Sequence, residues 1–427
     1  MSLTAHRLST SPLILPAAQC PRAAYLHIPF CRRRCFYCDF PVSVVGDRQR
    51  GETSVAIAHY VEVLCQEIQQ TVPSGQALET IFFGGGTPSL LAVAQLEQLL
   101  RVLEQTIGIA ANAEISMEMD PGTFDWGQLA GYQQAGVNRV SLGVQAFQPH
   151  LLQGMGRTHT VDDIDQAITL IRGLGIPNFS LDLIAGLPNQ TLEQWQDSLG
   201  AALALAPNHL SAYDLMLEPG TAFSRQYQPG THPLPTETTT AEMYRLAQQV
   251  LTGAGYEHYE ISNYARPGYH CRHNRVYWEN RPFYGFGMGA ASYLSGQRFT
   301  RPRTTKTYCQ WVEAGAATPE IRSLTLTVDN GPDRLLETLM LGFRLAEGLS
   351  LSALDTQFGD ATLRQVWQCL QPFYHQGWVE VTDAKGEVCH HLQVLPAQGH
   401  LRLSDPEGFL FSNTVLAALF ATWEATD

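Results

Sequence analysis

The chain has 427 residues and carries 27 Lys and Arg against 40 Asp and Glu, a formal net charge of −13. That balance argues against a general binder of nucleic acid or anionic membrane, whose phosphate contacts need clustered cations. With 44% hydrophobic and only 16% charged residues the chain buries a large core, so disorder is out, and nine cysteines, an odd number, do not read as a disulfide framework.

The first 38 residues hold no acid but carry Arg7, Arg22, Arg32, Arg33 and Arg34. Acid-poor starts occur in transit peptides, but this one runs directly into a cysteine cluster at Cys31. Residues 1–23 therefore read as the ragged N-terminal segment of a cytoplasmic protein. No stretch approaches the eighteen apolar residues of a transmembrane candidate. From residue 24, short β-rich runs begin near Ala24, Thr80, Ala113, Arg139, Asn178 and His209, with helical spacing between them. Leu96, Leu99, Leu100 and Leu103 share one face over residues 90–103. Thr160 and Asp163 read as the N-cap and acidic first turn of a helix over 161–174. Six strand–helix units predict an α/β fold with a parallel sheet, a partial (β/α)6 barrel over residues 24–255. In such barrels the chemistry sits at the C-terminal strand ends, where residues 84–87, Glu118, Gln145, Asp182 and Asp214 fall.

Residues 256–330 are rich in aromatics and are expected to form a connecting, ligand-binding region. Residues 331–427 predict a mainly helical, winged-helix-like domain. Its helices start at Pro332 and cover 351–358, 362–376 and 413–421, with strands over 377–382 and 400–403. Winged helices often bind DNA, which the acidic balance disfavours here, so no nucleic-acid partner is expected.

The segment Cys31-Arg-Arg-Arg-Cys35-Phe-Tyr-Cys38 puts three thiols on one loop after the first strand. A tripod of thiolates holds a [4Fe–4S] cluster with one iron left open for a ligand. Spacing alone leaves two alternatives, a structural zinc with His27 or a distant residue as fourth ligand and a redox-active Cys35/Cys38 pair. In Ile81-Phe-Phe-Gly-Gly-Gly-Thr-Pro88 the glycines let the backbone approach a ligand, with amides free to bond it.

The cysteine pattern and the glycine run together resemble the radical S-adenosylmethionine (SAM) superfamily, in which the open iron chelates SAM. The resemblance extends over nearly the whole chain. Tyr25-Leu-His-Ile-Pro-Phe-Cys31, Phe83-Gly-Gly-Gly-Thr-Pro-Ser89, Glu118-Met-Asp-Pro121, Ser141-Leu-Gly-Val-Gln145 and Asp182-Leu-Ile-Ala-Gly-Leu-Pro188 are similar to the oxygen-independent coproporphyrinogen III oxidase group. It implies that Tyr25, Gly85 and Glu118 contact the cluster-bound SAM, and that Tyr37, Gly86, Thr87, Gln145, Arg157 and Asp182 line a second SAM site.

That group divides into oxidases and HemW-type haem chaperones, and three features point to the chaperone branch. Phe40 stands where the oxidase pattern has a fourth cysteine, only 24 residues precede Tyr25, and His273-Asn-Arg-Val-Tyr-Trp278 matches an HNxxYW motif of the chaperones. The branch implies a protein that binds haem and passes it to an acceptor protein, with a [4Fe–4S] cluster and SAM as cofactors. His273 is the expected haem ligand, with Cys271 and His270 as rivals. The remaining Cys20, Cys65, Cys309, Cys369 and Cys389 read as buried bystanders. The second reading is a radical SAM enzyme that decarboxylates the propionates of coproporphyrinogen III. Peripheral membrane contact and the choice between monomer and dimer stay open.

Overall fold

A computed structural model describes residues 20–47, 49–315 and 332–424. Most of the expected N-terminal segment and the end of the connecting region lie outside the described residues.

The six expected strands form in order: β1 (Ala23–Ile28), β2 (Leu78–Gly85), β3 (Ile109–Met119), β4 (Arg139–Gln145), β5 (Asn178–Ala185) and β6 (His209–Asp214). Each pairs in parallel with the next. Parallel neighbours need a crossover, and the chain supplies helices α1 (Val55–Gln70), α2 (Val93–Thr106), α3 (Trp126–Ala135), α4 (Val161–Gly173) and α5 (Leu192–Ala204). The leucine face of α2 is buried, although the element begins later than expected, because Pro88–Leu90 forms its own short turn. Helix α4 opens with the reciprocal Thr160–Asp163 capping box, the Thr160 amide donating to Asp163 at 2.7 Å.

The sheet has nine strands rather than six. After helix α6 (Glu237–Gly253) come β7 (Glu257–Glu260) and β8 (Asn263–Ala265), and β8 pairs antiparallel with β6. Helix α7 (Arg272–Trp278) follows, and β9 (Tyr284–Phe286) returns to pair in parallel with β1. The aromatic segment, expected as a connecting region, packs on the barrel: Tyr284, Phe286, Tyr308 and Val312 belong to the same apolar core as β1 to β6. Its sequence hides this because β9 is three residues long, too short for a periodic signal.

The C-terminal region is helical around a small sheet, as expected of a winged-helix-like unit. Helices Pro332–Gly342, Leu351–Phe358, Asp360–His375 and Ser412–Glu424 surround strands Leu349–Ser350, His400–Leu403 and Val379–Thr382, paired in that order. It has its own apolar cluster and is tied to the barrel by Arg245–Glu407 at 2.6 Å and His258–Asp405 at 2.8 Å. Cys369 and Cys389 lie half-buried here, unlike the buried thiols expected. Among the described residues no helix is long and apolar enough to cross a membrane.

Candidate functional site

The C-terminal ends of β1 to β6 enclose a cavity of about 440 Å³. Cys31, Cys35, Cys38, Tyr37, Gly85, Gly86, Thr87, Glu118, Gln145, Arg157 and Asp182, all expected from the sequence, line it. Tyr25 borders an adjoining cavity of about 290 Å³ deeper in the barrel, and so does His273. The cysteine loop is fastened to the barrel top, its Phe36 amide donating to Met155 O at 3.0 Å and its Phe36 carbonyl accepting from Phe223 N at 2.9 Å.

The glycine run serves close approach and not free donors. A Cβ on Gly86 would stand 2.7 Å from Phe30 O and 2.9 Å from Ile28 O. Gly85 has φ +111°, and a side chain there would strike the His27 ring at 2.4 Å. The amides expected to be free are all engaged. Gly85 N donates to Glu118 Oε2 at 2.9 Å, Gly86 N to Ile28 O at 2.9 Å and Thr87 N to Phe30 O at 2.7 Å. The last two bonds clamp the segment leading into the cysteine loop onto the end of β2.

Acidic groups crowd the cavity. Burial pushes the Glu118 carboxyl up to about 8, with the nearby Asp182 and Asp120 adding to the rise. Burial also raises Asp182, against hydrogen bonds from Ser211 and Ser141 that stabilise its charge; Ser141 Oγ donates at 3.0 Å. Asp120 escaped the candidate residues although it lies inside the quoted Glu118-Met-Asp-Pro121 motif. It accepts from Arg157 Nη2 at 2.6 Å and from Thr87 Oγ1 at 3.2 Å, and Arg157 also reaches Gly143 O at 2.8 Å and Cys35 Sγ at 3.6 Å. Gln145 holds a left-handed φ of 68° at a break in the β4–β5 pairing, a strained backbone of the kind kept at ligand sites.

The three thiols suit a cluster better than a lone ion. All three, Cys31, Cys35 and Cys38, line the one cavity at the strand ends. His27, one candidate for the fourth ligand of the zinc alternative, is occupied by Tyr25 OH at 3.0 Å and Pro41 O at 2.9 Å. Burial lifts Cys31 to about 12 and Cys38 to about 11, so these sulfurs become thiolates when a metal compensates the burial.

His273 differs from its expected role. Its ring is fully buried, with Nδ1 2.8 Å from Thr80 Oγ1, Nε2 2.8 Å from Tyr277 OH, and one face stacked on Phe82 at 5.2 Å. Both nitrogens are therefore used, and neither offers a lone pair to an incoming iron. The reason lies in α7, which closes the barrel opposite the cysteine end. Glu114 of β3 accepts from His273 N at 3.1 Å and Arg272 N at 3.2 Å, capping the helix. Trp278 ends it beneath the Arg344 guanidinium at 4.3 Å. The HNxxYW motif is thus the plug of the barrel floor. Cys271, a rival ligand, is also fully buried, and burial pushes its thiol up to about 12. His270 pairs with Glu257 at 2.7 Å and stacks on Tyr259.

A barrel of this topology with three loop cysteines facing a cavity at the strand ends defines a radical SAM protein. The Radical SAM superfamily model matches residues 25–202 and the HemN C-terminal domain model residues 330–385. A Synechocystis protein named Heme chaperone HemW is 48% identical over 409 residues, spanning 95% of this chain and 97% of its own length. An Escherichia coli protein of the same name is 40% identical over 291 residues, 67% of this chain and 74% of its own. The solved structure of coproporphyrinogen III oxidase (HemN) from Escherichia coli aligns with 94% of this chain and 90% of its own, with a TM-score of 0.74 at 22% identity, which is a likeness of fold. The chain belongs to the HemW family of the radical SAM superfamily, and membership of that superfamily implies a [4Fe–4S] cluster and SAM.

Proposed function

We propose that the protein is a cytoplasmic haem chaperone that binds haem and hands it to an acceptor protein. The observation that carries this reading is the 48% identity, over nearly the full length of both chains, to a protein named Heme chaperone HemW. Cys31, Cys35 and Cys38 would hold the [4Fe–4S] cluster, and SAM would occupy the open iron. When bound, the cluster supplies a one-electron centre and a chelating iron for the SAM amino and carboxylate groups.

The chain's own residues do the rest. Glu118 waits as a largely neutral carboxyl and gains charge when a cationic amine enters beside it. Arg157, held by Asp120 and Gly143 O, keeps a fixed positive charge against Cys35. The Gly85-Gly86-Thr87 segment, free of side chains at its first two positions, lets β1 and the start of the cysteine loop pack closely against it. Phe40, half-exposed at the cavity rim, replaces the extra thiol of the oxidase pattern with an apolar face. The test is an anaerobic assay of the cluster-reconstituted protein with SAM and either coproporphyrinogen III or haem. Stoichiometric haem uptake without decarboxylation supports the reading, and catalytic conversion of coproporphyrinogen overturns it.

A further inference from the structure

A third cavity, of about 430 Å³, lies beside the cluster cavity, between the barrel rim and the C-terminal region. Its walls are mainly apolar: Leu215, Leu217, Pro229, Leu234 and Pro235 from the segments after β6, with Phe411 from the C-terminal region. Met216 belongs to the linings of both cavities and is 64% exposed, one of the most open large apolar side chains among the described residues. An unbranched thioether left in solvent at the junction of two cavities has lost the burial that usually places methionine. Its sulfur, however, is a known axial-ligand type for haem iron.

We propose that haem docks in this apolar cavity with the Met216 thioether as a ligand to its iron, next to the cluster. The inference rests on the haem-chaperone reading and goes beyond it by naming the place and the ligand. Three observations select haem as the occupant. A flat apolar macrocycle matches apolar walls of this size, within the range of ligand pockets. The wall carries an iron-ligating side chain that is already accessible. The rival ligands are engaged: both His273 ring nitrogens are hydrogen-bonded, Cys271 is fully buried, and His270 is paired with Glu257 and borders neither this cavity nor the cluster cavity. Leu215 and Met216 form the shared wall, so a haem seated here stands one side chain away from the cluster cavity.

The test is a titration of haem into the full, cluster-reconstituted chain, comparing the wild type with Met216→Leu, Met216→His and Leu234→Asp. Met216 is exposed, so its variants keep the fold. The wild type should show the far-red charge-transfer band of thioether-ligated ferric haem. Met216→Leu, which keeps the apolar volume, should lose that band and bind about tenfold more weakly. Met216→His should recover affinity with a nitrogen-ligated spectrum, and Leu234→Asp should weaken binding while keeping the wild-type band. If the Met216 variants titrate with the wild-type spectrum and affinity, haem sits elsewhere and this inference falls while the chaperone reading stands. If the wild type takes up no haem, the chaperone reading itself falls and the docking site with it.

Discussion

Replacing His273 with alanine removes an imidazole that plugs the barrel floor, and the cost follows from its surroundings. Thr80 is 3% exposed, so its hydroxyl loses its partner in a dry site, a penalty of about 1–3 kcal/mol. Tyr277 OH loses its partner too, but it borders the 290 Å³ cavity and can recover a water, which limits that loss to about 0.5–1.5 kcal/mol. The stacking on Phe82 adds about 0.5–1.5 kcal/mol. Together these amount to a destabilisation of about 2–6 kcal/mol, measurable as a fall in the urea midpoint at constant slope. Burial also holds this imidazole down at about 3, below its ordinary 6.5. The unfolded chain therefore binds a proton that the folded one refuses, and stability is lost as pH falls below 6.5. Between about pH 6.5 and 5 the contribution is about 2 kcal/mol, and the alanine variant should lack that part of the slope. A variant within about 0.5 kcal/mol of wild type, with the same pH slope, would refute the plug assignment.

Further outcomes follow from the cysteine end of the barrel. Glu118 titrates near 8, so at pH 7 it is about nine-tenths protonated, and SAM binding to the cluster-loaded protein should release close to one proton. Calorimetry in buffers of different ionisation enthalpy reads that number, and Glu118→Gln should bring it near zero. Asp120→Asn should loosen Arg157 and weaken SAM binding about tenfold or more while iron content holds; unchanged SAM affinity would remove Asp120 from the site. Gly86→Ala forces a Cβ against two backbone oxygens, so it should destabilise the cysteine loop and lower iron retention on reconstitution. Changing Cys31, Cys35 or Cys38 to serine should each abolish the cluster's visible absorption. A zinc-loaded protein with no bound iron would contradict the cluster assignment.

The barrel was legible because its strands are long apolar runs at regular intervals, and each polar residue just beyond them, from Glu118 to Asp182, lies where parallel topology puts chemistry. Asp120 was within reach, since it stands two residues after Glu118 in the same motif. The three added strands were not, because β7, β8 and β9 have four, three and three residues and acquire meaning only from their neighbours. His273 shows the limit of residue chemistry most clearly. A histidine among aromatics suggests a haem ligand, yet only the packing of α7 against Thr80 and Glu114 shows that both nitrogens are spent. Met216 carried no sequence signal, because a methionine between leucines reads as core until its exposure is known.

The central claim is haem carriage and delivery by a protein that holds its own iron–sulfur cluster. Its most direct test loads the cluster-reconstituted chain with one equivalent of haem and mixes it with a haem-free acceptor, following the acceptor's spectrum with and without SAM. The account predicts that the acceptor gains haem as the chaperone loses it, faster than from free haem at equal concentration, while coproporphyrinogen III is left unconverted. Retention of haem by the chain, or turnover of coproporphyrinogen to protoporphyrinogen, would contradict it.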